Sequence, residues 1–217
     1  LYSDQEIFLR ELISNATDAL TKIQHLSSIG EVKGEIGDLG VELKIDKKAK
    51  KLHIIDNGVG MTSDEVKKYI NDVAFSGAEE FLEKYKETSK DTGIIGHFGL
   101  GFYSSFMVSD KVEIITKSYK NEPAAHWICD GSPEYSLKKS EKKERGTEII
   151  LHISKDSKDY LEKSKISELL NKYNKFMPHP IKFGTKEETI TGKEGEKEEK
   201  VTIDNICLLY TSPSPRD

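Results

Sequence analysis

The segment SDQEIFLRELISNATDALTKIQHLS, residues 3–27, decides the fold, because it predicts a long helix that carries an unusual row of polar side chains. At roughly 100° per residue, Glu11, Asn15 and Asp18 fall within about 60° of arc. Apolar residues border this row on both sides, and they are Ile7, Phe8, Leu12, Ala19 and Ile23. The opposite face of the helix is polar and carries Glu6, Arg10, Thr17 and Gln24. A buried carboxylate or carboxamide without partners costs several kcal/mol. We therefore expect the row to face a ligand, a metal or ordered water, although a lone Asn or Asp on a helix is more often exposed.

The composition indicates a soluble protein without nucleic-acid or membrane partners. The 217 residues allow one large domain, or one domain with a tail, and 33% of them are charged while 35% are hydrophobic. A net charge of −5 without a basic, aromatic-interleaved stripe argues against nucleic-acid binding. No apolar run approaches the roughly 20 residues that span a bilayer, and no signal peptide opens the chain. Cys129 and Cys207 lack metal-binding spacing, so we expect a reducing, cytoplasmic location.

The order of the predicted elements indicates an α+β fold. Alternating apolar residues at 41–45 and 52–55, around a polar turn, predict a β-hairpin. Thr62 and Glu65 have capping-box spacing and predict a helix that runs to about Val73. Later elements follow as an apolar helix at 102–108, strands at 112–117, 125–129, 135–137, 147–153 and 181–183, and a helix at 164–176. We expect a two-layer α/β sandwich whose sheet is mostly antiparallel and carries helices on one face.

Two glycine-rich segments stand between these elements. DNGVGM, residues 56–61, has the pattern D-x-G-x-G, in which glycines let the backbone approach a flat ligand and the Asp offers oxygens to an exocyclic amine. GHFGLG, residues 96–101, precedes a helix and can present backbone N–H groups to an anion. Each motif alone is weak, since Asp-Asn-Gly is also an ordinary turn. Neither has the Lys-Ser/Thr of a Walker loop or the preceding βαβ unit of a dinucleotide fold.

The ordered set of a Glu/Asn/Asp helix, a D-x-G-x-G turn and a G-x-x-G-x-G loop is much more specific. EIFLRELISNA with Asp18-Ala19, DNGVGM, and GHFGLGFY at residues 96–103 resemble the ATP-binding domain of the heat shock protein 90 family, most closely its bacterial branch. The resemblance covers about residues 1–206 and implies a Bergerat-type ATP-binding fold. It also implies a dimeric, ATP-driven chaperone of the cytoplasm that assists protein folding, binds unfolded clients and serves the stress response.

The resemblance implies roles for individual residues. Glu11 would be the general base that activates water, Asn15 would ligate Mg²⁺ on the phosphates, and Asp18 would lie at the edge of the site. Asp56 would accept the adenine amino hydrogen. Other residues would line the adenine pocket, with Thr147 acting through a water, and these are Gly60, Met61 and Thr147. Those that wrap the phosphates would be Gly96, His97, Phe98, Gly99, Leu100, Gly101 and Phe102. Because one helical turn separates Glu11 from Asn15, a base and a metal ligand can address the same γ-phosphate.

Residues 73–97 are expected to form a lid that closes over bound ATP, with glycines as hinges. Family members often carry Lys where this chain has Phe75 and Gln where it has His97, so no phosphate contact is assigned to either side chain on this ground. The commoner interpretation of a lone histidine is that it packs or is solvated.

The ends of the chain also depart from the family pattern. Ser3 and Glu6 have capping-box spacing, so the chain begins within a helix cap and the family's exchanged N-terminal strand is absent. We expect an ATP-binding domain at 1–184 and a charged, solvated linker at 185–200. Residues 201–217 would begin a truncated next segment, in which CLLYTSPSPRD at 207–217 is a foreign or out-of-frame tail. The family's middle domain, which supplies an Arg to the γ-phosphate, is replaced there, so hydrolysis by this chain should be weak.

Two alternatives remain open from the sequence. One is a histidine-kinase-like or MutL-like ATPase domain of the same superfamily, and a kinase would have no need of Glu11 as a water-activating base. The other is a binding module that has lost catalysis, against which the intact Glu11 argues.

Overall fold

The structure of the chain, a computed structural model, describes residues 4–71, 100–190 and 199–207. Three α-helices lie among these residues, and they are α1 (Ile7–Ser28), α2 (Ser63–Val66) and α3 (Lys163–Tyr173). Short helical segments of other types add to them, with a 3₁₀ turn at Asp4–Glu6, a π-helical turn at Lys67–Asn71, and 3₁₀ helices at Leu100–Met107 and Lys155–Leu161. None of the helices in the described residues is long and apolar enough to cross a bilayer.

Eight strands of the described residues form one sheet. They are β1 (Val41–Asp46), β2 (Lys51–Asp56), β3 (Ser109–Lys117), β4 (Ala124–Cys129), β5 (Tyr135–Ser140), β6 (Gly146–Ile153), β7 (Ile181–Ile190) and β8 (Glu199–Cys207). Their order in the sheet is β5-β4-β3-β6-β2-β1-β7-β8, and every pairing is antiparallel except that of β1 with β7. The predicted α+β class with a mostly antiparallel sheet is confirmed.

The helices pack on one face of this sheet and bury the core against it. Leu9, Leu12, Ile13 and Leu20 of α1 are fully buried, as is Leu52 of β2. The opposite face is polar and ties neighbouring strands together by His–Glu contacts. Glu113 of β3 accepts His126 Nε2 at 2.8 Å and His152 Nε2 at 2.5 Å. The alternation of buried and less buried residues along β1 and β2 matches a sheet with one covered face.

Helix α1 differs from the prediction on both of its faces. Glu11 is buried, with 7% of its surface exposed, whereas Asn15 and Asp18 are exposed, so only the first member of the predicted polar row lies inside the protein. Glu6 and Thr17 were assigned to the polar outer face, and both are buried. The assignment was wrong because α3 and the segment after it cover that face, a tertiary contact that helical periodicity does not reveal.

Three other predictions need correction. The helix capped by Thr62 and Glu65 has the predicted capping box, but its α-helical part ends at Val66 and continues as a π-helical turn. The predicted linker at 185–200 is in part strand, since β7 extends to Ile190 and β8 begins at Glu199. Cys207, assigned to an aperiodic tail, is the last residue of β8 and pairs with Ile181. The predicted lid at 73–97, with Phe75, and the tail beyond Cys207 lie outside the described residues.

Glu6 fastens the beginning of α1 to α3. Its carboxylate accepts hydrogen bonds from Lys165 Nζ at 2.7 Å, Lys172 Nζ at 2.8 Å and the Tyr173 hydroxyl at 3.0 Å. Glu6 makes no helix-cap hydrogen bond, and Ser3, its predicted capping partner, lies outside the described residues. The hydrogen bonds from Lys165 and Lys172 lower the pKa of Glu6 to about 2.

We predict that Glu6→Gln destabilises the domain near neutral pH and weakens the acid dependence of its stability. The free energy of unfolding should fall by about 1–3 kcal/mol, because a neutral amide replaces a charged acceptor of three donors. Since the pKa of Glu6 is lower in the folded state, its contribution is complete above about pH 4.5 and is lost as the pH falls towards 2. Urea unfolding between pH 2 and pH 7 measures both effects.

The matched control is Glu168→Gln, because Glu168 lies 3.9 Å from Lys165 but is 62% exposed. This variant should unfold like the unmodified protein at every pH. Equal behaviour of the two variants would contradict the role given to Glu6.

Candidate functional site

Asp56 is the centre of the candidate site and lies at the end of β2. It is buried, its Cα is paired with that of Thr147 across β2 and β6, and its Oδ1 accepts the Gly58 N–H at 2.8 Å. Burial raises the pKa of Asp56 to about 6, against the lowering influence of the Gly58 and Thr147 backbone amides and of the Lys142 and Arg145 charges. A carboxyl group with this pKa is ionised near neutral pH and can serve as a hydrogen-bond acceptor at the floor of a site.

A chain of hydroxyl groups lies beside Asp56. The Thr116 and Thr147 hydroxyls are 2.9 Å apart, and Thr116 Oγ1 also accepts the Met61 N–H at 2.9 Å. Thr116 is fully buried. The predicted residues Met61 and Thr147 are therefore brought together by a third residue that the sequence analysis missed. Its only signal in the sequence was a polar residue at an inward position of β3.

The glycines of the D-x-G-x-G turn allow close contacts with other parts of the protein. A Cβ at Gly58 would lie 2.6 Å from the Ala19 carbonyl carbon, so this glycine lets the turn pack directly on the backbone of α1. Gly60 has φ +60°, and a Cβ there would lie 2.0 Å from the Lys117 carbonyl oxygen. The expected reason for these glycines was close approach to a ligand, whereas the described contacts are with α1 and β3.

Glu11 is placed against the second glycine motif. Its Oε1 accepts Arg10 Nη2 at 3.0 Å and Arg10 Nε at 3.2 Å. A Cβ at Gly101 would lie 2.4 Å from Glu11 Oε2, so the last glycine of GHFGLG leaves room for this carboxylate. The neighbouring Phe102 is buried in the core. Leu100 begins the 3₁₀ helix that carries Gly101, and Gly96, His97, Phe98 and Gly99 lie outside the described residues.

Helix α1 thus joins the two motifs. Gly101 contacts it at Glu11, and the Ala19 carbonyl accepts the Val59 N–H at 3.0 Å. Eight residues of α-helix separate these points by about 12 Å. The exposed side chains of Asn15 and Asp18 belong to the helical segment between them. The arrangement offers a buried acceptor at one end, a buried carboxylate at the other and an exposed amide between them.

The described residues contain no cluster of three or more His, Cys, Asp or Glu side chains that could hold a metal ion. Asn15 contributes one carboxamide oxygen, and Glu11 lies one turn before it. Oxygen donors of this kind suit Mg²⁺, which commonly takes most of its remaining ligands from water and substrate phosphates.

Comparison with known proteins shows the family. The sequence model of the family described as histidine kinase-, DNA gyrase B-, and HSP90-like ATPase matches residues 2–163. The chain is 54% identical over 212 residues to chaperone protein HtpG of Bacteroides thetaiotaomicron, covering 97% of this chain and 30% of that protein. It is 53% identical to HtpG of Porphyromonas gingivalis, with 97% and 31% covered, and 42% identical to the endoplasmin homolog of Dictyostelium discoideum, with 94% and 27% covered. The chain therefore spans about 30% of the length of these relatives.

We predict that Gly60→Ala severely destabilises the domain. The substitution combines a left-handed backbone, which costs an L-residue about 1–2 kcal/mol, with a collision against the Lys117 carbonyl. Gly30→Ala is the matched control, since Gly30 has φ +78° and nothing within 4 Å of an added Cβ. Denaturant unfolding should show a loss of about 1–2 kcal/mol for Gly30→Ala and a clearly larger loss for Gly60→Ala. Equal losses would show that the contact with β3 is unimportant.

Proposed function

The chain belongs to the family of histidine kinase-, DNA gyrase B- and HSP90-like ATPases, and from this premise we propose that the site between α1, β2 and β6 binds and hydrolyses ATP. Its similarity to HtpG supports the further proposal that it is the ATPase domain of a molecular chaperone. The single observation that carries the proposal is that α1 carries the buried Glu11, against which Gly101 packs, and contacts at Ala19 the glycine Gly58 of the turn that follows the buried Asp56.

Adenine is recognised at the β2 end of this site. Asp56 accepts a hydrogen bond from the exocyclic amine, which a buried, ionised carboxylate does better than a solvated one because water does not compete. The same end of the site is lined by Met61, Gly60 and Thr147. The Thr116 hydroxyl holds two of them in place through its contacts with the Thr147 hydroxyl and the Met61 N–H. The Thr147 hydroxyl reaches the base through a water.

Hydrolysis takes place at the Glu11 end. Arg10 engages Oε1, and this leaves Oε2 on the side of Gly101, where a side chain would collide. Glu11 acts as the general base that takes a proton from the attacking water, and the buried position of its carboxylate keeps it from the bulk solvent. A base that serves water fits hydrolysis better than phosphoryl transfer to a protein histidine.

The phosphates lie between these ends. Asn15 supplies an oxygen ligand to Mg²⁺, which when bound neutralises charge on the phosphate oxygens. Asp18 borders the site at the same exposed surface of α1. We further propose that the segment 96–102 binds the phosphates and that residues 73–97 form a lid, although residues 72–99 lie outside the described part of the chain.

The proposals for the whole protein extend those for the domain. The ATP-binding domain, whose sheet includes β7 and β8, belongs to a homodimeric, cytoplasmic chaperone of the stress response that binds unfolded or partly folded clients. Turnover by the 217-residue chain is slow, because the remaining catalytic contacts come from other parts of the dimer.

We predict that Asp56→Asn weakens ATP binding by at least about a hundredfold. The substituted amide presents a donor, or a weaker neutral acceptor, to a donor amine in a buried place. Isothermal titration calorimetry with and without Mg²⁺ measures the loss. Asp64→Asn, at a side chain that is 91% exposed on α2, is the control and should bind normally. Unchanged affinity in Asp56→Asn would refute the adenine assignment.

We predict that Glu11→Ala removes ATP turnover while ATP affinity stays within about threefold of normal. The base acts on water in the transition state and contributes little to ground-state binding. Turnover is measured on a chain of the relatives' full length, and affinity on the 217-residue chain. Glu31→Ala, at an exposed position of the loop after α1, is the control. Persisting turnover in Glu11→Ala would assign the base elsewhere.

A further inference from the structure

Arg145, the residue before β6, makes an unusual set of contacts with the turn that follows Asp56. Its Nε donates to the carbonyl oxygens of Asn57 at 3.0 Å and Gly58 at 2.9 Å. Its Nη2 donates to the carbonyl oxygens of Ile36 and Asn57, each at 2.8 Å. The four hydrogen bonds have three acceptors, all of them backbone carbonyl oxygens. The guanidinium therefore acts as a clamp between the D-x-G-x-G turn and the loop that precedes β1.

The clamp is held in a partly buried place where a charge is unfavourable. Desolvation lowers the pKa of the Arg145 guanidinium, and the nearby Asp56 carboxylate opposes that effect. A planar guanidinium with several donors in fixed directions spans two separate backbone segments, whereas the compact ammonium of a lysine has three donors on one atom and a shorter span. An arginine at this position therefore suits the binding of backbone carbonyl groups rather than an ion pair with a carboxylate.

The two residues after Arg145 also enclose Asp56. Gly146 has φ +118°, and a Cβ there would lie 2.1 Å from the Asp56 carbonyl oxygen. Thr147 is paired with Asp56 across the sheet. Three consecutive residues therefore hold the end of β2 through a side-chain clamp, a close backbone contact and strand pairing.

We propose that Arg145 is a positioning residue for adenine recognition, which fixes the turn after Asp56 so that the Asp56 carboxylate meets the exocyclic amine. The inference rests on the proposed ATP site and adds to it a residue that does not itself touch the nucleotide. Arg145 acts by geometry through the Asn57 and Gly58 carbonyls, and by charge through its proximity to Asp56.

The charge effect has a definite sign. Arg145 and Lys142, both from the β5–β6 connection, favour the ionised form of Asp56. On the other elements around the turn, the charged residues include Asp18, next to Ala19 of α1, Asp38, whose carbonyl accepts the Asn57 side-chain amide, and Lys117 of β3, whose carbonyl lies against Gly60. Removing the Arg145 charge therefore raises the pKa of Asp56, so that adenine recognition is lost at a higher pH than in the unmodified protein.

The test compares ATP with purine riboside triphosphate, which lacks the 6-amino group, on the 217-residue chain. The ratio of their affinities isolates adenine recognition, because phosphate contacts and general stability affect both nucleotides equally. The unmodified protein should prefer ATP by at least about tenfold. In Arg145→Met the preference should fall towards one, while affinity for the analogue changes little. Lys139→Met, at an exposed residue of β5, is the control and should retain the full preference.

Titration of the same ratio between pH 5 and pH 8 separates geometry from charge. The preference of the unmodified protein should decline around pH 6, the pKa of Asp56. Arg145→Lys should keep that midpoint but show a reduced preference for ATP, because lysine retains the positive charge and loses the planar set of guanidinium donors. Lys142→Gln should keep the preference at pH 8 and move the midpoint upwards, because all four Arg145 contacts remain.

The outcomes are distinguishable. A full preference for ATP with an unchanged midpoint in Arg145→Met would overturn the proposal, as would equal losses for ATP and the analogue. If Arg145→Met does not unfold cooperatively on heating, Arg145→Lys carries the same comparison and the same two overturning results. Failure of the proposed ATP site would look different, since the unmodified protein itself would then show no preference and Asp56→Asn would bind both nucleotides normally.

Discussion

The close approach of two glycine backbones to α1 is the constraint on which the rest of the structure depends. Gly58 packs on the backbone at Ala19, and Gly101 packs on the carboxylate of Glu11. A side chain at Gly58 would collide with the α1 backbone at Ala19, which an interior packed at crystal-like density does not absorb cheaply, and one at Gly101 would displace the Glu11 carboxylate. The first contact holds the turn that follows Asp56 against α1, and the second holds the 3₁₀ helix against Glu11 of α1, so the two contacts place the candidate site as well as the fold.

Local patterns in the sequence were sufficient for the fold class and for much of its detail. The alternation at β1 and β2, the capping box of Thr62 and the order of the elements all correspond to the structure, because each depends on residues close together in the chain. The burial of Glu6 and Thr17 was not predictable, since it is caused by α3 and the segment after it, about 160 residues later. The strand at 185–190 was missed because its composition is that of a solvated segment, and pairing with β8 outweighs that tendency.

The sequence motifs of the site were predictable, whereas the contacts that hold its residues in place were less so. Glu11, Asp56 and Thr147 occupy positions that suit the roles expected of them, and those roles remain proposals. Arg145 and Thr116 were missed, because a polar residue that hydrogen-bonds to the backbone of a distant turn does not alter the periodicity of the sequence. The sequence also predicted a buried polar row on α1. Asn15 and Asp18 of this row are exposed, whereas Glu11 on the same helical face is buried.

The position of β6 between β2 and β3 has a consequence for how the chain is made. The β1–β2 hairpin leaves the ribosome with both edges unpaired, because its sheet neighbours β6, at residues 146–153, and β7, at residues 181–190, are encoded later. During translation its inward residues, Leu43, Leu52 and Ile54, have no completed layer to cover them. Long-range pairing of this kind slows folding and leaves nascent chains open to association. Until residues 146–153 have been synthesised and paired with β2, a chain of this topology exposes apolar strand residues that the folded sheet buries.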